Sequence, residues 1–142
     1  VQLLRDCKTH WSSTFNMIHQ FLILYPAIQN FLNQSSDLQD LDFKSDEIQI
    51  LEEIISILEV THQAQELLSF EQTPTLSLML PVYQVIINAW RIQCNNYTHL
   101  QHFIKAGICK IEEKYIPMMK KTHAYAIAMT VNPAIKLSWT KE

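Results

Sequence analysis

Ser45-Asp-Glu-Ile-Gln-Ile-Leu-Glu-Glu-Ile-Ile-Ser-Ile-Leu-Glu-Val-Thr-His62 is the stretch that decides how this chain is read. Ser45 is a favoured helix N-cap type, and Asp46 and Glu47 put negative charge at the positive end of a helix dipole. Ile48, Leu51, Ile55, Leu58 and His62 then recur at heptad-like steps, and Ile54 and Ile57 widen the stripe. Glu52, Glu53, Glu59 and Glu66 occupy the remaining positions. The apolar run covers about two heptads, where a coiled coil needs three or four, so it reads as a helix of an intradomain bundle.

The same reading extends outward in both directions. The 142 residues amount to about one domain, and 48% of them are apolar, enough for a core. There is one glycine, Gly107, and there are five prolines. Hairpin turns rely on glycine at positive φ, so this composition favours helices over sheet. Upstream, residues 1–11 read as an extended lead-in, with Val1, Leu3 and Leu4 suited to the end of a strand. Ser12, Ser13 and Thr14 are N-cap types, and Phe15, Ile18, Leu22 and Tyr25 follow at helical spacing. Pro26 is expected to kink or split this helix. No charge occurs from Thr9 to Ser36, which predicts a helix covered on most sides. Residues 33–43 read as a loop.

Downstream, Gln72-Thr73-Pro74-Thr75 breaks the pattern. A helix is expected from Pro81 to Gln93, with the proline in its first turn, and Cys94–Tyr97 as a turn. Thr98 and Gln101 have capping-box spacing. Ile104, Ile108, Ile111, Tyr115 and Met118 step by 4, 3, 4 and 3, an amphipathic helix with lysines outside. Gly107 weakens it by about 1 kcal/mol relative to Ala, and suits a close helix contact. Thr122–Val131 reads two ways: its alanines favour a helix, while Tyr125, Ile127, Met129 and Val131 alternate as a strand would. No repeat or low-complexity tract is present.

Val1 is not an initiator methionine and no signal-peptide layout follows it, so the chain reads as part of something longer. No segment carries about 18 uninterrupted apolar residues, so no membrane span is expected. Phe21–Leu32 comes nearest and is interrupted by Pro26, Gln29 and Asn30. Three scattered cysteines do not form a disulfide framework, which points to an intracellular protein of the nucleus or cytoplasm. The net charge of −3 is unevenly laid out: residues 37–71 hold ten acids and one lysine, residues 105–142 seven lysines and three glutamates. Solvated helix faces account for both blocks, and the basic end also suits an anion such as DNA.

One segment carries a signature. Asp6-Cys-Lys8-Thr9-His10-Trp11-Ser-Ser13-Thr14-Phe15 resembles the D-x-x-T-R-W-N/S-S-T-Y segment of hAT-superfamily transposases, the hobo and Activator type. Thr9, Trp11, Ser13 and Thr14 match the pattern, Phe15 stands for the usual Tyr, and His10 for the usual Arg. His10 lacks the permanent charge and bidentate fork of that Arg. In the family this tryptophan belongs to the active-site neighbourhood and stabilises a flipped base during hairpin formation. A tryptophan beside Lys8, His10 and hydroxyls also suits stacking on an extruded base and contact with phosphate, against the plainer role of anchoring a helix start. Further on, Val131-Asn132-Pro133-Ala134-Ile135-Lys136 is similar to the family's L-D/H-P-x-x-K segment, and Lys114-Tyr115 to its K-Y approach.

The resemblance implies the following. Residues 1–11 lead out of an RNase H-like core, 12–121 form a helical insertion-like domain, and 122–142 return toward the core. The fold is mainly α, a helical bundle, with a short strand near 124–131 belonging to that core. The family uses three carboxylates and a divalent metal such as Mg. Two of its aspartates belong upstream of this segment and its glutamate near or beyond residue 142, so neither Asp6 nor Glu142 is assigned to catalysis. The expected function is a non-catalytic fragment of a transposase or transposase-derived protein, without a cofactor of its own. Its weak DNA contacts would run through Lys8, Thr9, His10, Trp11 and Lys136. Self-association through surfaces meant for the core is the other expectation, with a helical protein-interaction module as the alternative function. No small-molecule substrate is evident. Cys7-x2-His10 and Cys94-x4-His99-x2-His102-x6-Cys109 lack the paired tight spacings of zinc sites, and no phosphate loop or nucleophile elbow is present.

Overall fold

The computed structural model of the chain describes residues 2–7, 12–34, 36–70, 75–133 and 135. They are mainly helical, and no strand occurs among them. The helices are α1 (Ser13–Gln34), α2 (Ser45–Leu68), α3 (Met79–Asn96), α4 (Gln101–Lys110), α5 (Ile116–Lys120) and α6 (Ala124–Val131). Short 3-10 segments run over Ser36–Leu41, Thr75–Leu78 and Thr98–Leu100, and a π turn, Ile111–Tyr115, joins α4 to α5. The chain divides into two compact units, Val1–His62 and Gln63–Glu142.

In the first unit, α1 starts where the hydroxyl cluster foretold. The carbonyl of Ser12 accepts the N–H of Asn16 at 2.9 Å. Ser12 itself has φ 60°, in the left-handed region that non-glycine residues adopt at a cost of about 1–3 kcal/mol. The helix runs unbroken through Pro26, which is exposed, so water can serve the carbonyl that its missing N–H leaves behind. The absence of charge does not mean full cover: Ile18 and Leu32 are buried, whereas Ile23 and Phe31 are 58% and 59% exposed. Tyr25 closes the following loop, its hydroxyl 3.0 Å from the Asp42 carboxylate and 3.1 Å from the Phe43 carbonyl. Phe21 packs between Tyr25 and Phe43, with ring centroids 5.7 and 5.1 Å away. α2 is capped one residue earlier than its serine suggests. The Lys44 carbonyl takes the first helical bonds, and the Glu47 carboxylate reaches back to the Lys44 N–H at 2.8 Å, one half of a capping box.

In the second unit, Val82, Ile86, Ile87 and Cys94 of α3 and Ile104 and Ile108 of α4 form the core, with Ile111 and Met119. Pro81 falls in the first turn of α3, as its fixed φ and missing donor require. The capping-box spacing at Thr98 is not used: neither following segment has a side-chain cap, and the Gln101 amide instead donates to the Cys94 carbonyl at 3.4 Å.

The steps of 4, 3, 4 and 3 hold only as far as Ile111. The next inward residues are Ile116 and the buried Met119, whereas Tyr115 and Met118 are exposed. The cause is the π turn, in which the Ile116 N–H bonds to the Ile111 carbonyl five residues back. Pro117 has no N–H to continue an α-helical ladder and its ring crowds the carbonyl four residues back, so the backbone widens just before it.

The short strand expected near 124–131 is a helix. Ala124, Ala126 and Ala128 are the strongest helix formers, and a strand needs a ladder partner, which the described residues do not offer. Wound as a helix, the segment turns Met129 inward and leaves Ile127 and Val131 exposed. Asn132 is extended, φ −76° and ψ 111°, as the residue before a proline should be, and the helix ends there.

α3 and α4 touch closely at Gly107, where a Cβ would stand 2.7 Å from the six-membered ring of Trp90. Gly107→Ala should therefore destabilise the protein by about 1–3 kcal/mol, although Ala is the better helix former. Thermal denaturation checks this; a more stable variant would mean that Trp90 moves aside freely.

Candidate functional site

All five residues expected to contact DNA, Lys8, Thr9, His10, Trp11 and Lys136, lie outside the described residues. What surrounds the first four is clear. Asp6 and Cys7 on one side are tied to Ser13 and Thr14 on the other. The Asp6 carboxylate accepts the Ser13 hydroxyl at 2.6 Å and the Thr14 hydroxyl at 2.9 Å. The Cys7 N–H donates to the Ser13 hydroxyl at 3.1 Å, and the Cys7 carbonyl lies 2.8 Å from the same oxygen. One hydroxyl proton cannot serve both acceptors, and the charged, shorter contact with Asp6 is the stronger. Residues 8–11 thus run between two ends fixed by side-chain hydrogen bonds.

Phe15, the last motif residue, stacks on His62 at 4.2 Å between centroids and 19° between planes. On the same helix His19 lies parallel to it at 5.6 Å and 7°. Beside this, Leu3 and Leu4 of the lead-in, Met17 and Phe21 of α1, Phe43, and Leu51 of α2 line an open, almost wholly apolar cleft of about 310 Å³. Leu3 and Leu4 are in irregular backbone rather than a strand, and each is about half exposed.

At the other end, Asn132 of the second motif donates from its side-chain amide to the Ser77 hydroxyl at 2.7 Å. Ser77 is only 2% exposed, so this bond satisfies a buried polar group. The Ile135 N–H closes a turn on the Asn132 carbonyl at 3.2 Å. Lys114 is exposed, its ammonium 5.7 Å from the Tyr115 ring centroid, and Tyr115 stacks against Tyr83 at 6.1 Å. Sequence reasoning overlooked both the Asp6 lock and the Asn132–Ser77 bond. The first had a usable signal, a carboxylate shortly upstream of a Ser-Thr pair at a helix start. The second joins residues 55 apart and had none.

The described cysteines and histidines do not assemble a metal site. Cys94 is buried, while His99, His102 and Cys109 are exposed. Among the described residues no three His, Cys, Asp or Glu side chains stand close enough to hold a metal ion, so no step through a metal is assigned to them. Of the acids in 37–71, Asp40, Asp46, Glu47, Glu52, Glu59 and Glu66 are exposed. No helix among the described residues is long and apolar enough to cross a membrane. No family model, curated protein or solved structure matches the chain.

Two predictions follow from this geometry. Asp6→Ala should cost about 1 kcal/mol, as removal of a capping partner does, and Ser13→Ala should add little to it. A double-mutant cycle by denaturant unfolding checks this, and full additivity would deny the lock. Two phenols should also titrate late. Tyr25 is raised above its ordinary value near 10 by burial first, then by the hydrogen bond and charge of Asp42 and the charge of Glu47. Tyr83 is raised by burial first, then by Tyr115 and Tyr125. A raised folded pKa gives stability that is complete below pH 10 and lost as pH climbs through the folded value. In phenolate absorbance, Tyr25→Phe and Tyr83→Phe should each remove a late-ionising step.

Proposed function

We propose that this chain is a non-catalytic part of a hAT-type DNA transposase, or of a protein derived from one. The RNase H-like core, its metal-binding carboxylates and the dimerisation region would be supplied by sequence outside residues 1–142. Its DNA contacts would be weak and would run through Lys8, Thr9, His10, Trp11 and Lys136, and its place of action would be the nucleus. The observation that carries this reading is the lock between Asp6, Ser13 and Thr14. Three residues that match the transposase segment form one hydrogen-bonded unit, and they flank the four that would meet DNA. That arrangement gives the spacing of the segment a physical purpose: it ties together the residues on either side of those four.

A second reading, a helical protein-interaction module, is favoured by one observation. Large apolar side chains stand exposed on several helices, among them Phe31 at 59%, Ile92 at 63% and Phe103 at 66%. Surfaces of this kind mark contacts with a partner or with a missing domain.

The reading frame around the chain tests the first proposal. A continuous frame with two aspartates on strand-like runs upstream and a glutamate downstream is expected. An open frame lacking them would overturn it. On DNA, a hairpin with an unstacked base should bind in a salt-dependent manner, and Trp11→Ala should weaken it about tenfold, the worth of one stacked base. Fluorescence anisotropy reads both, and equal binding by the variant would remove Trp11 from the site.

A further inference from the structure

The rod made of α4, the π turn and α5 carries an exposed stripe. Phe103, Lys110, Lys114 and Met118 follow one another at steps of seven, four and four residues, and all four are exposed. The π turn shapes its far end, because it places Met119 inside and leaves Met118 56% exposed. Two large apolar side chains therefore bracket two cations. An acidic amphipathic helix matches such a face: its apolar residues cover Phe103 and Met118, and its carboxylates meet the lysines.

α2 has that chemistry. Glu52, Glu59 and Glu66 recur at steps of seven and are all exposed. None of the 24 residues of α2 is fully buried, and Leu67, next to Glu66, is 43% exposed. Over longer stretches the charges are complementary too: ten acids and one lysine in 37–71, seven lysines and three glutamates in 105–142.

We infer that the Phe103–Lys110–Lys114–Met118 stripe of one copy docks the acidic face of α2 of a second copy. This deepens the interaction-module reading and rests on it. The contact joins two different patches, so it is heterologous and builds a ring or an open chain of copies. Lys110 and Lys114 meet Glu52 and Glu59, which makes the association salt-sensitive.

Sedimentation velocity of the whole chain tests this with two charge-reversed forms, Lys110→Glu with Lys114→Glu, and Glu52→Lys with Glu59→Lys. All four positions are exposed, so both forms should keep the wild-type circular dichroism. The wild type should associate at low salt and dissociate as salt rises. Each reversed form alone should associate at least about tenfold more weakly, and an equimolar mixture of the two should recover the affinity. A mixture that stays monomeric overturns the pairing, and recovery shows at once that both forms are folded. Wild-type association unchanged by either reversal overturns this stripe and leaves the interaction-module reading standing. A wild type that is monomeric at every salt and concentration overturns both.

Discussion

Where α4 passes Trp90, only a hydrogen atom fits at position 107: a Cβ would stand 2.7 Å from the indole. The sole glycine of the chain is thus used for a close approach of two helices, not for a turn. Ile86 and Ile87 of α3 and Ile104 and Ile108 of α4 are all buried, and Ile87 is 1% exposed. Pro117 then prevents a plain continuation, and the π turn takes up the change by shifting the inward register from Tyr115 to Ile116. Burial of Met119 and exposure of Tyr115 and Met118 follow from that shift.

The first unit depends on polar contacts instead. Asp6 binds two hydroxyls at the start of α1, and Tyr25 binds Asp42 and Phe43 in the loop after it. Along its 22 residues α1 buries Ile18 and Leu32. Surface hydrogen bonds of this sort contribute about 0.5–1.5 kcal/mol each, less than a packed core supplies. A unit stabilised this way keeps apolar side chains in reach of solvent, and α2 does the same along its length. An acidic helix with half-covered isoleucines and a basic rod with exposed Phe103 and Met118 both leave apolar area in reach of solvent.

Much of the fold was legible because helical periodicity is a local property. The stripe Ile48–Leu51–Ile55–Leu58, the cluster Ser12–Thr14 and the first-turn Pro81 announced α2, α1 and α3 within a few residues of their ends. The failures share a cause. At Tyr115 and Met118 the arithmetic of 3.6 residues per turn was applied across a turn that holds more. At 124–131 alternation and alanine content competed, and the family resemblance favoured a strand where the chain's own propensity made a helix. At the candidate site, the sequence marked Lys8, Thr9, His10, Trp11 and Lys136 by residue type, and the structure describes their flanks: Asp6 with Ser13 and Thr14, and Asn132 with Ser77.

By itself, then, the sequence determined a helical chain, the placement of its main helices, and a division into an acidic and a basic stretch. These follow from neighbours along the chain: propensity, spacing of apolar residues and charge. Tertiary structure alone decided which apolar residues are inside, that Trp90 is what Gly107 meets, and that Ser77 is closed off by Asn132 from 55 residues away. Such pairings depend on how far the backbone turns between the partners. A single wide turn or one close approach changes that angle, and no local pattern of residue types records it.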